Sequence, residues 1–199
     1  MIKIDADSGR IVVSARSGYG KTYLVKSLLK NALSHGWKVN ILSYTEKKEA
    51  DYWKELNDAG AKITFTNITD EKTLIEFLAS VGGNSVIYVD DLDLYVSYKT
   101  KDALETLRKY MSASRKANFV LVFSLKDLKG NFFGLLKESS IAFIGAFSAF
   151  PKVLENLRFE DVRENFNKLD ESKHEFLMLH DGITDFVRVD ENGNIVLSR

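Results

Sequence analysis

An octapeptide near the start of the chain, A-R-S-G-Y-G-K-T from Ala15 to Thr22, limits what the chain can fold into more than any other segment. It follows an apolar run, Arg10 to Ser14, that reads as a short buried strand. It leads into Lys21 to Ser34, where Leu24, Val25, Leu28, Leu29 and Ala32 recur at helical spacing. A strand that turns through small residues into a helix aims backbone N–H groups, and the positive end of the helix, at one point where an anion can sit. The octapeptide fits the phosphate-loop pattern G-x-x-x-x-G-K-[ST] except at its first position, where Ala15 replaces glycine. Ala15, Arg16, Ser17, Gly18, Tyr19, Gly20, Lys21 and Thr22 are therefore the expected nucleotide cradle. Gly18 and Gly20 let the backbone close on the phosphates, and Lys21 reaches the β- and γ-phosphates. Thr22 offers its hydroxyl to a Mg²⁺ ion that arrives with ATP. Alone, G-K-T would more simply open a surface helix; the strand before and the helix after favour the phosphate reading.

The alternation begun there continues. Strands are expected at Lys38 to Ser43, Ala61 to Phe65, Val86 to Val89, Phe119 to Ser124 and Ile141 to Ile144. Helices are expected at Lys47 to Ala59, Asp70 to Val81 and Lys101 to Arg115, with a loop or short helix around Lys129 to Lys137. Strands that alternate with helices imply an α/β fold whose mostly parallel sheet is covered on both faces. After Phe150 the pattern changes to helical stretches, Lys152 to Asn156 and Phe159 to Lys168. Two alternating runs follow, Glu175 to Leu179 and Asp185 to Val189, then a turn at Asn192 to Asn194 and a last short strand. These should form a C-terminal β-hairpin at the sheet edge. With 199 residues, one proline and no repeat or low-complexity stretch, residues 1–199 read as a single domain.

The most apolar strand ends in acid: S-V-I-Y-V-D-D, Ser85 to Asp91. Two carboxylates at the carboxyl end of a buried strand complete the phosphate loop, because ligands of open α/β sheets bind at that end. Asp90 is the expected Mg²⁺ ligand. Asp91 stands where many phosphate-loop ATPases carry a glutamate that activates the attacking water, one methylene shorter here. The plainer reading, two aspartates capping a turn, loses ground once the phosphate loop is present.

Composition narrows the partners. Lys plus Arg equals Asp plus Glu at 28 each, so no whole-molecule basic field marks a nucleic-acid binder. There is no cysteine, and His35, His174 and His180 have no ligand spacing, so the only metal expected comes with the nucleotide. No apolar run approaches the ~20 residues of a membrane span, and the N-terminus lacks signal-peptide character, so an intracellular protein is expected.

Together with the phosphate loop and the Val86 to Asp91 strand, the run S-A-S-R-K-A-N-F-V-L-V-F-S-L-K, Ser112 to Lys126, gives the chain a family likeness. It resembles the FtsK–HerA superfamily of DNA translocases. Within that superfamily it resembles the small genome-packaging ATPases of membrane-containing icosahedral viruses, including turreted viruses of archaea. The likeness spans nearly the whole chain and implies a RecA-like phosphate-loop NTPase. In that family the third run holds an arginine at a helix end, a buried strand, a small polar residue and, two positions on, a glutamine that senses the γ-phosphate. Arg115 and Ser124 match; Lys126 replaces the glutamine and implies a γ-phosphate contact of different chemistry. The resemblance also implies a homo-oligomeric ring that translocates double-stranded DNA without sequence preference, packaging a viral genome into its capsid. A capsid or viral membrane protein would be the partner, in the host cytoplasm or on the virion. Arg115 would serve as an arginine finger toward a neighbour's nucleotide, against the plainer reading of a surface ion pair. Arg16 is similar to an arginine of packaging motors and terminases that touches the γ-phosphate, against a solvated loop arginine. DNA-facing cations are expected, as a group, among Lys99, Lys101, Arg108, Lys109, Lys126, Lys129 and Lys137. Two other classes stay open. One is a phosphate-loop phosphotransferase such as a nucleotide or polynucleotide kinase. The other is an assembly protein that binds nucleotide without hydrolysing it.

Overall fold

The computed structural model describes residues 9–44, 51–97, 101–157, 159 and 161–198. Its strands, in chain order, are β1 (Arg10–Ser14), β2 (Lys38–Tyr44), β3 (Lys62–Thr66), β4 (Ser85–Val89), β5 (Phe119–Leu125), β6 (Ile141–Ile144), β7 (Phe176–His180), β8 (Ile183–Val189) and β9 (Ile195–Leu197). Among the described residues these nine form one sheet in the order β3-β2-β4-β5-β1-β6-β7-β8-β9. The first six strands in that order pair in parallel; from β6 onward the pairing is antiparallel. The α/β expectation holds, and the expected C-terminal hairpin is a three-stranded meander whose first strand also pairs with β6.

The helices are α1 (Lys21–Ser34), α2 (Lys54–Asp58), α3 (Glu71–Ser80), α4 (Lys101–Ala117), α5 (Asn131–Glu138) and α6 (Val162–Asn167). Strand side chains alternate between the two faces of the sheet, and the core divides with them. Val12, Leu42, Leu121 and Phe123 meet Leu78 of α3, Leu107 of α4 and Leu135 of α5 on one face. Ile11, Val13, Tyr88 and Val122 meet Leu24 and Leu28 of α1 and Leu56 of α2 on the other. Helix α1 stops in a Schellman motif: Gly36 takes a left-handed φ of 81°. Its N–H donates to the Leu33 carbonyl, and the Trp37 N–H donates to that of Ala32. Asp70 caps α3 by accepting the Thr73 N–H at 2.7 Å.

Most boundaries fall within two residues of the sequence reading, and three differences have a visible local origin. The helix expected from Lys47 is a 3₁₀ turn at Asp51–Trp53 running into α2, and residues 47–50 lie outside the described residues. The stretch expected helical from Phe159 starts only at Val162, because Asp161 takes a left-handed φ of 54° that an α-helix cannot contain. Strand β8 begins two residues early, since Asp181 and Gly182, both with positive φ, make a tight two-residue turn.

The strand order matters most for function. Strand β5 lies between β1 and β4, with Ser14 beside Leu125 and Val89 beside Phe123. The residues just past β5 therefore sit between the phosphate loop and the two aspartates.

Candidate nucleotide site

The phosphate loop takes the backbone shape that its glycines allow. Gly18 and Gly20 have φ of 76° and 92°, in the left-handed region that favours glycine. Ala15 does not, so glycine is not required there; its methyl is fully buried and its N–H donates to the Leu125 carbonyl at 3.3 Å. The space comes from the next strand. A Cβ on Gly145 would lie 2.8 Å from the Ala15 methyl and 2.4 Å from the Tyr19 ring. Lys21 is buried and folds back over the loop, where its Nζ donates to the carbonyls of Ala15 at 2.8 Å and Arg16 at 3.2 Å. Burial lowers its pKa, and the nearby Asp91 charge works against that shift.

Across β5, Asp90 is held on both oxygens. One accepts the Ser43 hydroxyl at 2.9 Å, and the other accepts the Tyr88 hydroxyl at 2.7 Å. Ser43 in turn accepts the Trp53 indole N–H at 3.1 Å. With its own proton on Asp90, the Tyr88 oxygen is free to accept from the Ser124 hydroxyl 2.9 Å away, and Ser124 accepts the Asp91 N–H at 2.7 Å. Burial, then the neighbouring Asp91 charge, push the Asp90 pKa up in spite of these hydrogen bonds. Asp91 itself sits at a left-handed φ of 48° and takes an ion pair from Lys126 Nζ at 2.9 Å. Burial lowers the lysine pKa, but the hydrogen bond and charge of Asp91 outweigh it, and the net shift is upward. Asp93, unmarked by the sequence reading, adds a third carboxyl nearby whose pKa is raised by burial and then by Asp91.

The structure thus gathers Ala15 to Thr22, Asp90, Asp91, Ser124 and Lys126 at one end of the sheet. Arg16 points elsewhere: its guanidinium pairs with Glu171 at 2.6 Å, on the β7 side of the loop. Tyr19 points there too, and its buried hydroxyl donates to the Glu175 carbonyl at 2.7 Å. Burial and then the Glu171 charge raise its pKa to about 12. Arg115 belongs to the last turn of α4, and its side chain lies outside the described residues. Of the cations expected to face DNA, Lys99 and the side chain of Lys101 lie outside the described residues. Arg108, Lys109, Lys126 and Lys129 are ion-paired with Glu138, Glu105, Asp91 and Asp127. Lys137 is exposed on α5.

Sequence reasoning missed Tyr88, Ser43 and Trp53 around Asp90, and Tyr19 as an anchor. Only Tyr88 carried a local signal: it lies two residues before Asp90 on a strand and so shares its face.

This arrangement can take a chain of phosphates on α1 and the loop, with acids and a cation waiting at one end. No curated protein matches the chain in sequence. Its fold is that of the genome packaging NTPase B204 from Sulfolobus turreted icosahedral virus 2. The structure in complex with sulfate has a TM-score of 0.70 at 15% identity over 100% of this chain and 98% of that one. The complex with ATP-gammaS gives 0.70 at 14% over 98% of each. The flagellar accessory protein FlaH from Methanocaldococcus jannaschii gives 0.61 at 12% identity over 98% of this chain and 91% of that one. The resemblance to viral genome-packaging ATPases read from the motifs is thus accompanied by a shared fold with one genome packaging NTPase. The model of the AAA domain matches residues 4–129, well over half the chain and the segment that carries both motifs. The chain belongs to the AAA domain family of phosphate-loop proteins.

Proposed function

We propose that this protein hydrolyses ATP and, as a ring of identical subunits, uses the energy to move double-stranded DNA, packaging a viral genome. The observation that carries the hydrolytic step is the Asp91–Lys126 pair, 2.9 Å apart at the end of the site nearest the buried acids. A carboxylate that can take a proton stands there beside a cation that can take up phosphate charge. Incoming phosphate replaces the Ala15 and Arg16 carbonyls as the acceptors of Lys21, and phosphate charge offsets the burial that lowers its pKa. Asp91 accepts a proton from water as the water oxygen bonds to the terminal phosphorus and the bond to the bridging oxygen breaks. Lys126, exchanging Asp91 for the terminal phosphate, stabilises the charge on the phosphoryl group in transfer, while the bridging oxygen leaves with the nucleoside diphosphate.

The donors for Mg²⁺ fit that ion. Thr22 and Asp90 offer hard oxygens, too few for a closed protein cage and suited to an ion that keeps water and phosphate ligands. A cation would also offset the burial, and then the Asp91 repulsion, that raise the Asp90 pKa. When bound with the nucleotide it would neutralise β- and γ-phosphate charge. Arg115, in the last turn of α4, is the candidate finger toward a neighbour's nucleotide. The single sheet supports reading residues 1–199 as one domain, and the fold shared with a genome packaging NTPase supports the DNA reading. No helix among the described residues is long and apolar enough to cross a membrane.

ATP turnover, measured with and without double-stranded DNA on the native chain and on Lys21→Ala, tests this. Turnover that DNA raises and the variant lacks supports the motor. Turnover indifferent to DNA leaves a phosphate-loop hydrolase of another output, and no turnover leaves nucleotide binding alone.

A further inference from the structure

We infer that the nucleoside of the bound nucleotide lies between the rings of Tyr23 and His174, at the mouth of a cleft that α1 forms with the C-terminal strands. This rests on the phosphate site proposed above. The direction follows from the strand order. Asp90, Asp91 and Lys126 lie on the β5 and β4 side of β1, while β6 and β7 lie on its other side. A triphosphate whose terminal group faces the acids must run its α-phosphate and sugar the opposite way, past the start of α1 toward β7.

What stands there is aromatic. A Cβ on Gly20, the N-cap of α1, would lie 3.7 Å from His174 Nδ1, so the imidazole borders the loop at its helix end. His174 holds a left-handed φ of 50° and rests edge-on against Tyr19, with ring centroids 5.8 Å apart. Tyr23 follows Gly20 by three residues, which puts both on one side of the helix, and the residue is 51% exposed. An exposed tyrosine so close to a phosphate loop offers the apolar face that a heterocyclic base stacks on. The space continues beyond it. A cleft of about 220 Å³ is lined by Tyr23, Lys26, Lys30, Glu55, Val189 and Asn192. The β7–β8 register, Phe176 beside Val187, carries the chain before β7 back toward Val189, so His174 and the cleft share one end of the meander. Three ties keep this wall close to the loop: Arg16 to Glu171, the Tyr19 hydroxyl to the Glu175 carbonyl, and the edge contact of Tyr19 with His174.

Calorimetric titration with two probes, Mg–ATP and Mg–tripolyphosphate, separates nucleoside contacts from phosphate contacts. Tyr23→Ala and His174→Ala are each expected to weaken ATP binding about tenfold, the usual scale of a lost stacking contact, and to leave tripolyphosphate binding unchanged. Tyr23→Phe, which keeps the ring, should bind ATP like the native chain. Thermal melting of each variant checks that the fold is intact. Equal weakening for both probes would mean the rings only shape the loop, and undiminished ATP affinity in both alanine variants would mean the base lies elsewhere; either overturns the inference. A native chain that binds both probes equally overturns it while the phosphate site stands. One that binds neither brings down the phosphate site and the nucleoside wall together.

Discussion

Tyr88 is the side chain on which the acidic half of the site depends. It is fully buried, and its hydroxyl joins Asp90 to Ser124, which in turn holds the backbone of Asp91. Tyr88→Phe removes one oxygen and leaves both partners a hydrogen bond short in a place water does not easily reach. The expected cost is about 1–3 kcal/mol of stability, measured by urea unfolding. Asp91 makes the contrasting case. It is partly exposed and its side chain meets Lys126, so Asp91→Asn should leave the fold and the binding of ATP largely intact. Turnover in that variant is expected to fall by roughly 10²–10⁴, the usual worth of a general base. A variant that turned over at the native rate would move the water-activating role to another group, with Asp93 the next carboxyl to try.

At the scale of elements, the phosphate loop is held by its neighbours as much as by its own glycines. Gly145, just past β6, leaves room for Ala15 and the Tyr19 ring. Gly145→Ala would place its new methyl 2.4 Å from that ring and 2.8 Å from the Ala15 methyl, neither of which can swing away. Overpacking of this kind costs about 1–3 kcal/mol, so a lower melting temperature and weaker nucleotide binding should appear together. Gly134, inside α5, is the control. The atoms nearest a Cβ there all belong to the guanidinium of Arg108, the end of a flexible side chain that can shift. Ala in place of a mid-helix Gly gains about 1 kcal/mol in helix propensity, so Gly134→Ala should be neutral or mildly stabilising in the same melting experiment.

For the molecule as a whole, nucleotide and fold are linked through the loop. Ligand at about 100 times Kd adds about 2.7 kcal/mol to the folded state, which for a chain of this size raises Tm by roughly 5–10 °C. Mg–ATP is expected to produce that shift in the native protein and none in Lys21→Ala, read by differential scanning fluorimetry. The charge of the molecule bears on DNA in a different way. Its net charge is zero, and Arg108, Lys109, Lys126 and Lys129 are already paired with acids. A DNA contact made by these side chains would have to exchange one partner for another.

Strand, loop and helix from Arg10 to Ser34, and the acid-tipped strand Ser85 to Asp91, were determined by the sequence alone. Their chemistry lies in contiguous residues, where hydrophobic period, glycine freedom and helix capping are local effects. The same locality explains why Ala15 looked like a departure when it is simply a residue whose φ needs no glycine. Only the tertiary structure decided that β5 lies between the two motifs, so that Lys126 meets Asp91 and Ser124 meets Tyr88. Only it brought Glu171, His174 and Glu175 back over the phosphate loop. Those contacts join residues far apart in the chain, 156 positions for Tyr19 and Glu175. They depend on which strands pair and in what register, and on the packing of the whole sheet, which no local stretch of sequence encodes.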